Sequence, residues 1–223
     1  MIDLRHVRTW IFDLDNTLYP ATTDLFALID ERMGAFIQRR LGLSPTDAHA
    51  VQKLFFHAHG TTLRGLMNEH GVDPYEFLRE VHDIDVGRVA HAPDLVAAIA
   101  ALPGRKLIFT NADAEYAGRV LGRLGLEGAF EDIYDVHAMA YWPKPDTRAY
   151  AGLCAAHGVE PATALFVDDM ARNLAPAKAI GMTTVWVDNG SEQGPEADRD
   201  FIDERVTDVP AWLTDVVAQL AAV

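Results

Sequence analysis

The feature of this sequence that most constrains its fold is a series of short apolar runs that are continuous rather than alternating. Such runs are typical of strands that are buried on both faces of a parallel sheet. The predicted strands are Thr9–Leu14, Lys106–Thr110, Asp132–Val136, Ala164–Val167 and Thr183–Val187. The predicted helices of the same region are Pro93–Leu102, Ala114–Leu124, Asp146–His157 and Ala171–Ile180. Alternating strands and helices predict an α/β fold, in which a parallel sheet carries helices on both faces.

The segment from about residue 20 to about residue 90 departs from this alternation. Its apolar residues recur at helical spacing, as at Leu25, Ile29 and Met33, and it contains no convincing strand. Helices are predicted from Leu25, from Pro45 to about His59 with Ser44 as the N-cap, near Leu63–His70 and near Pro74–His82. We therefore predict a helical insertion at residues 20–90, with residues 1–19 and 91–223 forming one core. The polar, acidic stretch Asn189–Pro210 is predicted to be a solvated loop with room for a helical turn.

The charge of the chain limits its partners. The 223 residues include 33 acidic and 19 basic side chains, a formal net charge of −14. Nucleic-acid polymers and membrane surfaces are bound through clustered lysine and arginine, so neither partner is expected, whereas a small anionic substrate in a local pocket is compatible with this charge. The single cysteine, the charged N-terminus and the lack of an apolar run of roughly 18 residues favour a cytoplasmic protein. We expect a monomer or a homodimer.

Polar residues lie at the carboxyl ends of three of the predicted strands. They are Asp13 and Asp15, Thr110 and Asn111, and Asp168 and Asp169. Ligands bind at the carboxyl ends of the strands in open parallel sheets, so these side chains are expected to share one site. Any one of them alone has an ordinary alternative, because strands often end in Asp or Asn for reasons of turn geometry.

Four carboxylates at one sheet edge repel one another, by about 4 kcal/mol for a pair about 4 Å apart near the surface. Either a cation neutralises them or some are protonated. A ligand set of oxygen atoms suits a hard cation, and Mg²⁺ is the expected one. Asp13 and Asp15, two residues apart, can divide nucleophilic attack and proton transfer between them. Lys144, between two prolines, can balance phosphoryl charge, and the alternative is a lysine in a surface turn.

These residues resemble the four motifs of the haloacid dehalogenase superfamily, in the same order and at similar spacings. The motifs are Asp13-Leu-Asp-Asn-Thr-Leu18, Thr110-Asn111, Lys144-Pro145 and Asp168-Asp169. The resemblance implies a Rossmann-like core with a helical cap inserted after the first strand. It also implies a phosphatase or phosphomutase rather than a dehalogenase or an ion pump, because those two classes lack an aspartate at the position of Asp15.

The resemblance implies a role for each motif residue. Asp13 is the expected nucleophile, and Asp15 the acid for the leaving oxygen and later the base for water. Thr110 and Asn111 are expected to bind the transferring phosphoryl group, and Lys144 to steady Asp13 and that charge. Asp13, Asp168, Asp169 and the backbone carbonyl of Asp15 are the expected magnesium ligands. Asn173 is expected to support this acidic group.

A narrower resemblance, to pyrimidine 5'-nucleotidases, rests on Asp15-Asn-Thr-Leu-Tyr-Pro20, on His59-Gly-Thr-Thr-Leu-Arg-Gly-Leu66 and on Phe109-Thr-Asn-Ala-Asp113. It implies a nucleoside monophosphate as substrate. The candidate specificity residues in the insertion are His57, Thr61, Thr62 and Arg64, with Gly60 and Gly65 allowing the chain to bend there. The alternatives are another small-metabolite phosphatase, for a sugar phosphate or phosphoglycolate, then a phosphomutase, and a non-catalytic phosphate-binding protein. For Arg64 the alternative is a solvated helix residue.

Overall fold

The computed structural model describes residues 2–190 and 199–222, and its centre is a sheet of six parallel strands. The strands are β1 (Thr9–Phe12), β2 (Arg105–Phe109), β3 (Asp132–Tyr134), β4 (Ala164–Asp168), β5 (Thr183–Val187) and β6 (Glu204–Val206). Their order across the sheet is β3-β2-β1-β4-β5-β6, so β1 lies between β2 and β4. The order therefore brings the carboxyl ends of β1, β2 and β4 side by side, as the strand-end motifs predicted.

Alternate residues of β1, β2, β4 and β5 bury in different core clusters, which is why their apolar runs are continuous. On β1, Trp10 and Phe12 join one buried cluster, and Ile11 joins the other. Both faces of the strand are thus removed from water, as expected for a parallel sheet covered on both sides. The predicted α/β class is confirmed.

Five helices of the described residues cover the sheet; the first four begin and end close to the predicted residues, and the last was not predicted. They are α5 (Pro93–Ala101), α6 (Ala114–Leu124), α7 (Thr147–His157), α8 (Ala171–Ala179) and α9 (Val209–Ala221). Leu95 of α5, Tyr116 of α6 and Leu213 of α9 bury in the cluster that contains Trp10. Leu153 of α7 and Leu174 of α8 bury in the cluster that contains Ile11. The helices therefore divide between the two faces.

Four helices lie between β1 and α5. They are α1 (Leu25–Leu41), α2 (Pro45–His59), α3 (Thr62–His70) and α4 (Pro74–Val81). The predicted cap of α2 is confirmed, because the Ser44 hydroxyl accepts a hydrogen bond from the Asp47 amide at 3.2 Å. Phe36 of α1 and Phe77 of α4 pack edge to face with ring centroids 5.1 Å apart. The division of the chain into a core and a separate cap domain stays a prediction.

The structure corrects the interpretation of Asn189–Pro210. Residues 191–198 lie outside the described residues, but the stretch ends in β6, which pairs with β5, and in the first turn of α9. Three residues with one buried side chain give no apolar run, so the loop prediction was wrong for Glu204–Val206. The predicted β1 and β3 were each two residues too long, since they end at Phe12 and Tyr134. Among the described residues, no helix has the length and apolarity needed to cross a membrane.

Candidate active site

The turn that follows β1 places Asp13 and Asp15 at the edge of the sheet. The Asp13 amide still donates to the Val167 carbonyl of β4 at 2.9 Å, which fixes Asp13 beside the end of that strand. The chain then turns, with the Leu18 amide bonded to the Leu14 carbonyl and Asn16 at a φ of 59°, where asparagine is tolerated better than most residues. Asp13 therefore continues the line of β1 beside β4, and Asp15 is held on the turn that follows.

Lys144 connects the first and fourth motifs. Its Nζ donates to Asp13 Oδ1 at 2.8 Å and to Asp168 Oδ2 at 2.7 Å. Lys144 is 2% exposed, so the alternative of a lysine in a surface turn is wrong. Burial alone would lower the pKa of Lys144, but the charges of Asp13 and Asp168 outweigh burial and raise it. The ammonium group is thus charged at neutral pH and joins two strand ends.

Asp168 is surrounded by donors. Its Oδ1 accepts from the Met170 amide at 2.8 Å, and Asn173 Nδ2 reaches both carboxylate oxygens at 3.0 and 3.1 Å. Burial raises the pKa of Asp168 to about 6, against the opposing charge of Lys144. The contact with Asn173 agrees with the expected supporting role of that residue.

Thr17 joins Asp13 to the fourth motif from the other side. Its hydroxyl donates to Asp13 Oδ2 at 3.2 Å and accepts from the Asp169 amide at 3.1 Å. One carboxylate oxygen from each of Asp13, Asp168 and Asp169 lies within 4.8 Å of the others, and all three residues are buried. Three oxygen donors without nitrogen or sulphur fit a hard divalent cation.

The side chain of Asp15 contacts two phenols. Its Oδ1 accepts from the Tyr19 hydroxyl at 2.5 Å and from the Tyr116 hydroxyl at 2.8 Å. Burial raises the pKa of Asp15, the charge of Asp13 adds to the rise, and the two phenol hydrogen bonds oppose it. Burial likewise raises the pKa of both tyrosines far above the usual range, so the phenols stay protonated and act as donors.

The second motif positions Lys144. The Asn111 side chain accepts from the Lys144 amide at 2.9 Å and donates to the Lys144 carbonyl at 3.2 Å. Thr110 is 1% exposed, and its hydroxyl accepts from the Ala112 amide at 3.1 Å. The side-chain amide of Asn111 is therefore used within the protein. Its expected contact with substrate stays a prediction.

The four candidate specificity residues of the insertion lie at the junction of α2 and α3, in different environments. The Thr61 hydroxyl caps α3 by accepting from the Arg64 amide at 3.1 Å, and the buried Thr62 hydroxyl donates to the Gln52 carbonyl at 3.3 Å. His57 is exposed near the end of α2. Arg64 donates to the Tyr141 carbonyl at 3.3 Å, so it contacts the chain that leads to Lys144.

The two glycines of this junction have different roles. Gly60 ends α2 at a φ of 84°, a conformation that glycine adopts readily, as the predicted bend requires. Gly65 instead lies within α3, where a Cβ would come within 2.4 Å of the Phe55 side chain. The expectation that Gly65 allows a bend was wrong, because its lack of a side chain serves close packing of α2 on α3.

Sequence reasoning missed Tyr19, Tyr116, Thr17 and Trp142 as members of the site region. Thr17 lies inside the first motif, and Tyr19 follows it within the stretch Asp15–Pro20 of the narrower resemblance, which was the available signal for both. Tyr116 occupies an apolar position of α6, so its hydroxyl had no separate signal. Trp142 lies between two guanidinium groups, with the Cζ atoms of Arg64 and Arg148 at 3.7 and 3.0 Å from its ring centroid. That arrangement brings Arg64 of α3 to a segment almost 80 residues later in the chain, which contains both Trp142 and Arg148.

Comparison with known proteins agrees with this geometry. A family model described as haloacid dehalogenase-like hydrolase matches residues 7–181, which include every motif residue above. The chain belongs to this family. A solved HAD phosphatase from Thermococcus onnurineus superposes with a TM-score of 0.64 at 19% identity, covering 96% of this chain and 98% of that one. At this identity the likeness shows the fold alone.

Three curated relatives carry phosphate-related names. Phosphate metabolism protein 8 of Saccharomyces cerevisiae is 25% identical over 78% of this chain, which spans 60% of the yeast protein's length. A glyceraldehyde 3-phosphate phosphatase of Methanopyrus kandleri is 25% identical over 96% of this chain and 99% of its own. A GMP/IMP nucleotidase of Escherichia coli is 26% identical over 79% of this chain and 80% of its own.

Proposed function

We propose that this protein is a magnesium-dependent phosphatase that hydrolyses small phosphate monoesters through an aspartyl phosphate on Asp13. The observation that carries the proposal is the buried trio of Asp13, Asp168 and Asp169 with Lys144 between the first two. A nucleophilic carboxylate next to a fixed cation and a set of oxygen ligands matches the needs of phosphoryl transfer, which are positioning and charge stabilisation.

The reaction takes two steps. In the first, an Asp13 oxygen forms a bond to phosphorus, the ester bond breaks, and Asp15 gives its proton to the leaving oxygen. In the second, water attacks the phosphoryl group on Asp13, Asp15 takes a proton from that water, and inorganic phosphate leaves. Lys144 holds Asp13 in place and offsets the charge of the transferring group, beside Thr110 and Asn111.

The metal-binding residues in this proposal are Asp13, Asp168, Asp169 and the backbone carbonyl of Asp15. Bound Mg²⁺ would supply positive charge for the phosphoryl oxygens. Lys144 already uses one oxygen of Asp13 and one of Asp168, while Asp13 Oδ2 accepts only from the Thr17 hydroxyl among the described residues. An oxygen of Asp13 is thus available to a cation without displacing Lys144.

The proposed substrate is a nucleoside 5'-monophosphate, with a pyrimidine base favoured by the motif resemblance. The nucleotidase name of the Escherichia coli relative supports a nucleotide, although that name specifies purines. The second candidate is a phosphorylated sugar or similar small metabolite, which the name of the Methanopyrus kandleri relative favours. His57, Thr61, Thr62 and Arg64 are the proposed specificity residues in both cases.

The test is phosphate release from a panel of nucleoside monophosphates and sugar phosphates, with Mg²⁺ and with EDTA. Wild type and Asp13→Asn are assayed side by side, and Asp94→Asn, at the surface in the first turn of α5, is the matched control. Activity led by UMP or CMP that is lost with EDTA and in Asp13→Asn supports the full proposal. A different leading phosphate keeps the mechanism and removes the pyrimidine assignment. Equal activity of wild type and Asp13→Asn would contradict the mechanism itself.

A further inference from the structure

Both hydrogen bonds of the Asp15 side chain fall on the same oxygen. The hydroxyls of Tyr19 and Tyr116 lie 2.5 and 2.8 Å from Oδ1, and the two hydroxyl oxygens lie 3.4 Å from each other. Among the described residues, Oδ2 of Asp15 has no hydrogen-bond partner. Oδ1 already accepts from two donors, so Oδ2 is the oxygen left to exchange a proton with a substrate.

The two phenol rings are themselves fixed by burial and packing. Tyr19 is 3% exposed and lies four residues after Asp15, directly beyond the first motif. Tyr116 is fully buried in the first turn of α6, and its ring stacks on His82 with centroids 4.6 Å apart and an interplanar angle of 20°. A buried tyrosine loses little entropy in binding a carboxylate, because its ring is already fixed.

His82 is fixed in turn by α6. Its Nδ1 lies 2.5 Å from Asp113 Oδ2, and Asp113 also caps α6 by accepting from the Tyr116 amide at 2.8 Å. The His82 carbonyl accepts from Arg119 of the same helix. Residues from the end of α4 and the start of α6 therefore determine where the Tyr116 hydroxyl lies.

We propose that Tyr19 and Tyr116 are positioning residues for Asp15, which hold Oδ1 so that Oδ2 transfers the proton to the leaving oxygen. The inference rests on the proposed function, because it assigns an orientation to the acid of that reaction. In the first step the ester P–O bond breaks as the Asp13–phosphorus bond forms, and the Oδ2 proton moves to the leaving oxygen. Asp15 is left as a carboxylate, and both phenols then donate to its negative charge.

Two substrates with different leaving groups can distinguish a positioning role of the tyrosines from a purely structural one. An alkoxide needs a proton as it leaves, whereas p-nitrophenolate is stable without one, so only the first substrate depends on a well-placed acid. We would measure kcat/KM, which reports the transfer to Asp13, for a nucleoside monophosphate or other alkyl phosphate and for p-nitrophenyl phosphate. The variants are Tyr19→Phe, Tyr116→Phe and Asp15→Asn, and each phenylalanine keeps the ring and removes one hydroxyl.

Tyr134→Phe is the matched control, because Tyr134 buries in the other core cluster with its hydroxyl against Gly152. We expect Tyr19→Phe and Tyr116→Phe each to lower kcat/KM about tenfold on the alkyl phosphate and less than about twofold on p-nitrophenyl phosphate. Tyr134→Phe should leave kcat/KM for both substrates within about twofold of the wild-type values. The thermal midpoint of each variant is recorded, so that a variant that fails to fold is recognised.

The outcomes separate the two proposals. If Asp15→Asn loses activity selectively on the alkyl phosphate but both tyrosine variants lose it equally on the two substrates, the positioning role is wrong and the acid role of Asp15 stands. No loss on either substrate in both tyrosine variants would overturn the positioning role as well. If Asp15→Asn lowers kcat/KM equally on the two substrates, Asp15 is not the acid for the leaving oxygen, and that part of the proposed function is wrong.

Discussion

At the scale of single residues, the main feature of the site is a group of buried charges. Lys144 is the cation that directly contacts Asp13 and Asp168, and all three are almost fully removed from water. An ion pair buried in this way gains little net stability over an apolar pair, but removal of one partner leaves the other charge uncompensated. The role of Lys144 in keeping the site folded can therefore be measured separately from its proposed role in catalysis.

We predict that Lys144→Met destabilises the protein by about 3–5 kcal/mol in EDTA, because two buried carboxylates lose their cation. Added Mg²⁺ should raise the thermal midpoint of this variant more than that of wild type, since the metal replaces part of the missing charge. Thermal and urea unfolding with and without Mg²⁺ measure both effects. Lys53→Met is the control, because Lys53 forms a surface pair with Asp30 at 3.4 Å. Equal Mg²⁺ shifts in Lys144→Met and wild type would contradict the prediction.

The sequence could predict the residue types of the site but not their partners. Asp13, Asp168 and Lys144 were identifiable because each follows a strand or stands in a motif, and parallel strands bring their ends together. The bond from Asn111 to the Lys144 backbone was not predictable, since it depends on how the chain from residue 137 to residue 143 turns. For Tyr116, apolar helical spacing hid a phenol hydroxyl that reaches Asp15.

At the scale of elements, β6 shows how a strand can form without an apolar run. Asp203, the residue before β6, uses both side-chain oxygens to hold the neighbouring strand and helix. Its Oδ2 accepts from the Thr184 amide at 2.9 Å, and its Oδ1 accepts from Lys178 Nζ at 2.5 Å. The edge strand is thus anchored by polar bonds from one carboxylate. A polar stretch gives no periodic signal for such a strand, so the sequence predicted a loop.

We predict that Asp203→Asn destabilises the protein by about 1–2 kcal/mol at pH 7, because the charged bond to Lys178 is lost. Burial raises the pKa of Asp203, but the Lys178 and Thr184 hydrogen bonds outweigh burial and lower it. A folded-state pKa below the unfolded value gives stability that is present above the unfolded pKa and lost as pH falls toward the folded pKa. The gap between wild type and variant should therefore shrink below a pH of about 4.

Urea unfolding at neutral and acidic pH tests this prediction. Asp200→Asn is the control, because Asp200 is exposed three residues before Asp203. We expect Asp200→Asn to change the free energy of unfolding by no more than about 0.5 kcal/mol. A difference between Asp203→Asn and wild type that stays constant with pH would show that the carboxylate charge does not stabilise β6.

At the scale of the whole molecule, two of the inserted helices, α3 and α4, contact the chain that leads to Lys144. Tyr75 of α4 stacks on His137 with ring centroids 4.3 Å apart. Arg64 of α3 and Arg148 of α7 both lie against Trp142, at 3.7 and 3.0 Å from its centroid. Two guanidinium groups this close to one ring cannot share a face without overlapping, so the indole lies between them. The sequence predicted the helical insertion but left the role of this loop open.

These contacts give the loop before Lys144 a structural role that sequence periodicity could not predict. Ala140 and Tyr141 adopt φ values of 49° and 60°, which residues other than glycine rarely adopt. The Tyr141 carbonyl accepts from Arg64, so one of the strained residues is held directly by the insertion. A change at α3 can therefore reach Lys144 through three residues of chain.

The hydrogen bond from Arg64 to the Tyr141 carbonyl makes Arg64 the best residue for testing how the insertion affects the site. Its guanidinium has five N–H donors, and only Nη1 is used among the described residues, so donors remain for a substrate. We predict that Arg64→Ala raises KM for nucleoside monophosphates about tenfold and leaves p-nitrophenyl phosphate within about twofold, because the small substrate has no nucleoside to bind. Arg148→Ala removes the other guanidinium from Trp142 and should leave KM unchanged for both. If Arg64→Ala loses activity equally on both substrates, then Arg64 acts by holding Tyr141 and Trp142 in front of Lys144, and substrate choice resides elsewhere in the insertion.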